Sequence, residues 1–178
     1  MKTLTLLRHA KSTWDDPVAR DFDRPLNRRG RKAARRIGAE MRALGLEFDA
    51  AIASPALRVK ETLAEVEAGY GRSLGARWED DVYLASVQTL LEIVRKSDEN
   101  AQSLLLAGHN PGIESLAIAL ARKSRLRDDV TVKYPTGTLA QLVFDAESWR
   151  GVGPGAGRLE RFIRPRDLDP ELGPDEDS

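Results

Sequence analysis

The chain has no cysteine, so a disulfide framework, a thiol nucleophile and a thiolate zinc site are excluded from the start. It also lacks an excess of either charge. Its 28 basic and 28 acidic residues cancel, and nothing global steers it to nucleic acid or to a membrane surface. No apolar run reaches the roughly 18 residues that a membrane-spanning helix needs, and residues 1–20 carry no signal-peptide pattern. A cytoplasmic protein without nucleic-acid or membrane partners is expected. Histidine is scarce as well: there are two, His9 and His109, and with the acids elsewhere they show no metal-ligand spacing, so neither metal nor cofactor is expected. At 178 residues the chain has the length of one domain with a sizeable core.

What is present is organised around Leu6-Leu7-Arg8-His9-Ala10-Lys11-Ser12-Thr13-Trp14, an apolar run that ends in an Arg-His pair and a small polar turn. A buried strand here delivers two cationic or protonatable side chains to its own end, and in open α/β sheets ligands bind at the carboxyl ends of strands. His109 repeats the pattern, following the apolar run 104–108.

Along the chain, residues 3–7 read as a central strand and 10–27 as a polar loop. Asn27 is placed to cap a helix over 28–44 that stops at Gly45, with Ala33, Ala34, Ile37, Met41 and Leu44 on its apolar face. The opposite face, from Arg28 to Arg42, is strongly basic and reads as solvated. Residues 49–53 read as a second strand, with Ser54 as N-cap and Pro55 as first residue of a helix carrying Arg58 in its first turn and Thr62 on the same face. Residues 76–84 suggest an edge strand, and Ser86 caps a helix over 87–96. A strand at 103–107 leads through Gly108-His109-Asn110-Pro111-Gly112 into a helix over 113–121. Strands at 138–144 and 158–163 flank the glycine-rich stretch 151–157, which has no strand-loop-helix context for a phosphate loop and reads as a flexible connection.

The motifs Arg8-His9-Ala10, Ser54-Pro55-Ala56-Leu57-Arg58 through Thr62, and Gly108-His109-Asn110-Pro111-Gly112 stand in the order of the histidine phosphatase (phosphoglycerate mutase-like) superfamily. The chain resembles that family over residues 1–145, and its small size and Leu-Arg-His-Ala-Lys-Ser wording are nearest to the SixA-type phosphohistidine phosphatases. Ala10 departs from the family's Arg-His-Gly, which asks for a backbone that tolerates a Cβ. The resemblance implies a three-layer α/β/α sandwich with a mainly parallel sheet, an antiparallel C-terminal hairpin and the site at the strand C-termini. It implies His9 as nucleophile, Arg8, Arg58 and His109 as clamp on the phosphoryl oxygens, and, by weaker matches, Ser12, Arg24 and Asn110 beside the phosphate, where a turn role is equally open for each.

Phosphoryl transfer requires fixed positive groups around the oxygens and a nucleophile in line with the leaving group, which these residue types supply without a metal. Family members that hydrolyse esters also use a carboxylic acid to protonate the leaving alkoxide. Asp81 and Glu79 fall in the right region, although capping an edge strand explains either. The short stretch 69–84, where phosphoglycerate mutases carry an insertion, implies an open site. Together these favour a metal-independent phosphatase acting on phosphohistidine of a protein; a phosphatase or mutase of a small phosphorylated molecule, or a non-catalytic phosphate-recognition module, are the alternatives. The catalytic domain is expected over 1–164, followed by a tail over 165–178 with three prolines and six acidic residues, which would not fold alone and could lie on the basic helix.

Overall fold

The computed structural model describes residues 1–17 and 20–173; the last five residues of the expected tail, 174–178, lie outside it. Six strands form one sheet in the order β3-β2-β4-β1-β5-β6: β1 (Lys2–Arg8), β2 (Ala50–Ala53), β3 (Arg77–Trp78), β4 (Ser103–Gly108), β5 (Leu139–Phe144) and β6 (Gly157–Ile163). The first four are mutually parallel, and β5 and β6 form an antiparallel hairpin. With helices on both faces this is the expected three-layer sandwich. Strand β1 is interior, paired with β4 on one side and β5 on the other.

Period-two alternation divides the apolar strand residues between two cores. Leu4, Leu6, Leu104 and Leu106 pack with α3 (Val87–Arg95), α4 (Gly112–Leu120) and α5 (Arg125–Val132) on one face. Leu7, Leu105 and Ala107 pack with α1 (Arg28–Ala43) and α2 (Leu57–Tyr70) on the other. A sheet covered on both faces explains why β4 reads as an uninterrupted apolar run. Helix α1 begins at the Asn27 cap, whose side chain accepts from Gly30 N–H, and approaches α2 closely: a Cβ on Gly38 would sit 2.1 Å from the Val66 carbonyl oxygen. Its basic face is matched by carboxylates, Arg31 with Glu61 and Arg35 with Glu65 of α2.

Two expectations need correction, and one helix is an addition. The edge strand expected over 76–84 shrinks to Arg77–Trp78, because Asp80–Val82 turns in a 3-10 helix that buries Val82 and carries the chain away from the sheet. The helix after β2 starts at Leu57 with Ala56 as its N-cap, so Ser54 is free for another task. Helix α5 was not foreseen: Val130 is its one buried residue and it ends on Val-Thr-Val, so it shows neither an apolar stripe nor strong helix propensity. The segment from Pro165 contributes a short helix, α6 (Pro165–Leu168), and a 3-10 turn (Pro170–Leu172), with Asp169 and Glu171 both paired to Lys32 of α1.

Candidate active site

The register of β1 against β4 places Leu7 beside Ala107 and Arg8 beside Gly108, so the next residues, His9 and His109, leave the same sheet edge side by side. Their rings lie 5.3 Å apart between centroids. They open into a cleft of about 330 Å³ whose lining includes Arg8, His9, Ser12, Arg24, Arg58, His109 and Asn110. Seven of the nine residues singled out in the sequence therefore meet at one place. Glu79 and Asp81 do not line it: Asp81 is exposed, and Glu79 pairs with Arg77 at 3.7 Å.

His9 is buried, and its Nδ1 lies 2.7 Å from the Ala10 carbonyl oxygen. A carbonyl can only accept, so Nδ1 carries the proton and the lone pair of the neutral ring is on Nε2. Burial, and then the charges of Arg8 and Arg58, hold the pKa of His9 well below its ordinary 6.5 against the opposing pull of the Ala10 carbonyl. The ring is thus neutral at neutral pH, with Nε2 unprotonated and desolvation the larger cause. Ala10 takes its Cβ without strain, since its backbone is outside the left-handed region, and its N–H donates to Thr62 Oγ1 at 2.9 Å. Thr62 in turn donates to the Arg58 carbonyl at 2.6 Å, tying the loop that carries His9 to the first turn of α2.

Arg58 is almost fully buried, and its Nη1 and Nη2 donate to the carbonyl and the Oδ2 of Asp21 at 2.7 and 3.0 Å. Asp21 also accepts from Arg24 Nε at 3.1 Å and from Tyr83 OH at 2.5 Å. Burial would raise its pKa, but the Tyr83 hydrogen bond and the Arg58 charge outweigh that and bring it down to about 2. Arg24 is fixed further by Ser12 Oγ, which accepts from its Nη1 at 2.8 Å, and by the Trp14 ring, 3.4 Å below its guanidinium. Arg8 donates from Nη1 to the Tyr134 carbonyl at 2.9 Å. The Asn110 amide is engaged at both ends, donating to the same carbonyl at 3.1 Å and accepting from Glu114 N–H at 3.2 Å, so its observed work is to hold the loop before α4.

His109 Nε2 lies 2.8 Å from Ser54 Oγ, and its Nδ1 is buried without a partner. Burial first and Arg58 next push its pKa down to about 3. The unliganded site therefore holds His109 neutral, so its positive charge, if used, must come with the bound anion. Asp21, Tyr83 and Ser54 were not foreseen as site residues. Each acts through a partner distant in sequence, so no local pattern marks them.

Both imidazoles have folded pKa values below the unfolded value of about 6.5. Below that pH the unfolded chain binds more protons than the folded one, so stability complete above pH 6.5 falls by about 1.4 kcal/mol per pH unit for each ring. For His109 the fall continues to pH about 3. Urea midpoints followed from pH 8 to pH 5 should decline below pH 6.5, and less steeply in His109→Gln. Midpoints flat across that range would contradict the neutral, buried state of the two rings.

A family model described as the histidine phosphatase superfamily (branch 1) matches residues 4–145, and the chain belongs to that superfamily. An uncharacterized protein of Mycobacterium tuberculosis is 36% identical over 164 residues, spanning 90% of this chain and 100% of that protein. A Nakamurella multipartitia protein provisionally named phosphohistidine phosphatase SixA superposes with a TM-score of 0.81 and 29% identity, covering 92% of this chain and 96% of its own. A counterpart from Agrobacterium tumefaciens, provisionally named likewise, gives 0.77 and 29%, covering 92% and 97%. The fold is also that of the protein histidine phosphatase SixA complexed with tungstate, at a TM-score of 0.78 and 20% identity over 94% and 99% of the two chains. The fold is thus SixA-like.

Proposed function

We propose that the protein removes phosphoryl groups from phosphohistidine on other proteins, without a metal, through a phosphorylated His9. The observation that carries this reading is the state of the cleft's acid. Among the described residues lining the cleft, Asp21 is the one carboxylate, and at a pKa of about 2 it is ionised and has no proton to give at neutral pH. An ester leaves as an alkoxide and needs such a proton. Phosphohistidine leaves as an imidazole nitrogen, whose basicity of about pKa 6.5 lets solvent protonate it.

In the first step the His9 Nε2 lone pair attacks phosphorus while the substrate ring's other nitrogen carries a proton from solvent; the bond from phosphorus to the substrate nitrogen breaks, its electron pair stays on that nitrogen, and the ring departs as neutral imidazole. Arg8, Arg24 and Arg58 neutralise the three phosphoryl oxygens. When Ser54 Oγ–H donates to His109 Nε2, the proton of His109 sits on Nδ1, and that unpartnered N–H becomes a donor to a phosphoryl oxygen. In the second step water attacks phosphorus and the P–N bond to His9 breaks, releasing phosphate and restoring the free ring.

A leaving-group series tests the reading. kcat/KM for phosphoramidates should far exceed that for alkyl phosphates, rates among aryl phosphates should rise steeply with the acidity of the phenol, and Glu79→Gln and Asp81→Asn should leave phosphoramidate turnover near wild type. A flat dependence on phenol acidity, with a large loss in either variant, would reveal a working acid and point to a small phosphoester as substrate.

A further inference from the structure

Leu84, in the loop between β3 and α3, has a left-handed backbone with φ of 50°, alone among the described non-glycine residues. Glycine and asparagine enter that region far more readily than leucine, so the conformation is strained. Burial of the side chain could offset the strain, yet Leu84 is 56% exposed. Its neighbours hold the loop in place. Val82 is in the core, and Tyr83 stacks edge-on against His109 while its hydroxyl donates to Asp21. The Ala85 carbonyl comes so near the start of α4 that a Cβ on Gly112 would lie 2.4 Å from it. The path these contacts impose puts an apolar side chain on the rim of the same cleft that holds His9, Arg58 and His109. Trp14, 69% exposed, lines that cleft too, with Arg24 stacked on its ring.

The phosphoryl oxygens belong among the arginines, where the apolar Leu84 side chain offers them no partner and the Trp14 ring is stacked on Arg24. Apolar groups on the rim can touch only the part of a substrate that extends beyond phosphorus. Resting on the phosphatase reading of the cleft, we propose that Leu84, together with Trp14, determines substrate choice by gripping leaving groups that present an apolar or aromatic flank, such as an imidazole carried on a polypeptide. A leaving group as small as ammonia gains nothing from it. Trp14 also orders Arg24, so its removal would disturb the phosphoryl clamp and blur the effect. Leu84 has no such second duty.

The test is a ratio. Leu84→Asn keeps the side-chain size, suits the left-handed backbone and removes the apolar contact, so its melting temperature should match or exceed that of wild type. We expect the ratio of kcat/KM for a phosphohistidine peptide to kcat/KM for the phosphoramidate ion to fall about tenfold in this variant, mostly through KM, the size of a small apolar contact in a specificity pocket. Leu84→Met should restore the ratio. A folded Leu84→Asn protein with an unchanged ratio would overturn the proposal. Phenyl phosphate against methyl phosphate repeats the comparison with esters. If wild type prefers esters, the phosphohistidine reading fails, and the phenyl-to-methyl ratio still shows whether Leu84 grips the leaving group.

Discussion

Arg58→Ala should lower kcat/KM by about 100- to 1,000-fold, the loss that follows when one preorganised donor to a developing charge is removed. The guanidinium is buried and aimed by Asp21, which takes both of its terminal nitrogens, so its position is set before substrate arrives. Arg58→Lys should recover only part of the rate, because one ammonium cannot reproduce a planar fork that meets two oxygens. The substitution has a second signature. After burial, the Arg58 charge is the largest influence holding the His109 pKa down, and it also helps hold Asp21 near 2. Without it both values should rise, and the acid limb of the pH–rate profile should move to higher pH. Full activity in Arg58→Lys, with an unchanged profile, would place Arg58 outside the chemistry.

His9→Ala should reduce turnover by about three orders of magnitude or more, since it removes the covalent route and leaves only the charge clamp. The fold should survive. The His9 ring makes its hydrogen bond to the carbonyl of the adjacent residue, so its loss orphans no distant partner. Near-wild-type circular dichroism together with a rate within tenfold of wild type would dismiss His9 as nucleophile.

Much of this arrangement was legible in the sequence because the signals are local. An apolar run ending in Arg8-His9 and another ending in Gly108-His109 mark two buried strands that release their histidines at one edge, and the parallel register then does the rest. Asn27 announces α1 by its cap, and Ser86 announces α3 in the same way. What sequence reasoning misplaced depends on contacts made across the fold. Ser54-Pro55 has the chemistry of a helix start, but the structure uses Ser54 against His109, 55 positions away, and lets the helix begin later. Asp21 looks like one acid in a polar loop; its importance comes from Arg58 and Tyr83, both supplied by other segments. The loop carrying Leu84 resembles the continuation of an edge strand until Asp80 and Asp81 turn it aside.

The hydrolytic cycle assigned to this cleft rests on a phosphoryl group passing through His9, and rapid quenching into base during turnover of a radiolabelled phosphoramidate examines that step directly. Base preserves a phosphorus–nitrogen bond to imidazole that acid would break. Label should be recovered on the peptide containing His9, bound through Nε2, in wild type and in variants slowed at the second step, and it should be missing from His9→Ala. Steady turnover with no label on His9 at any quench time, or label on His109 in its place, would contradict the mechanism.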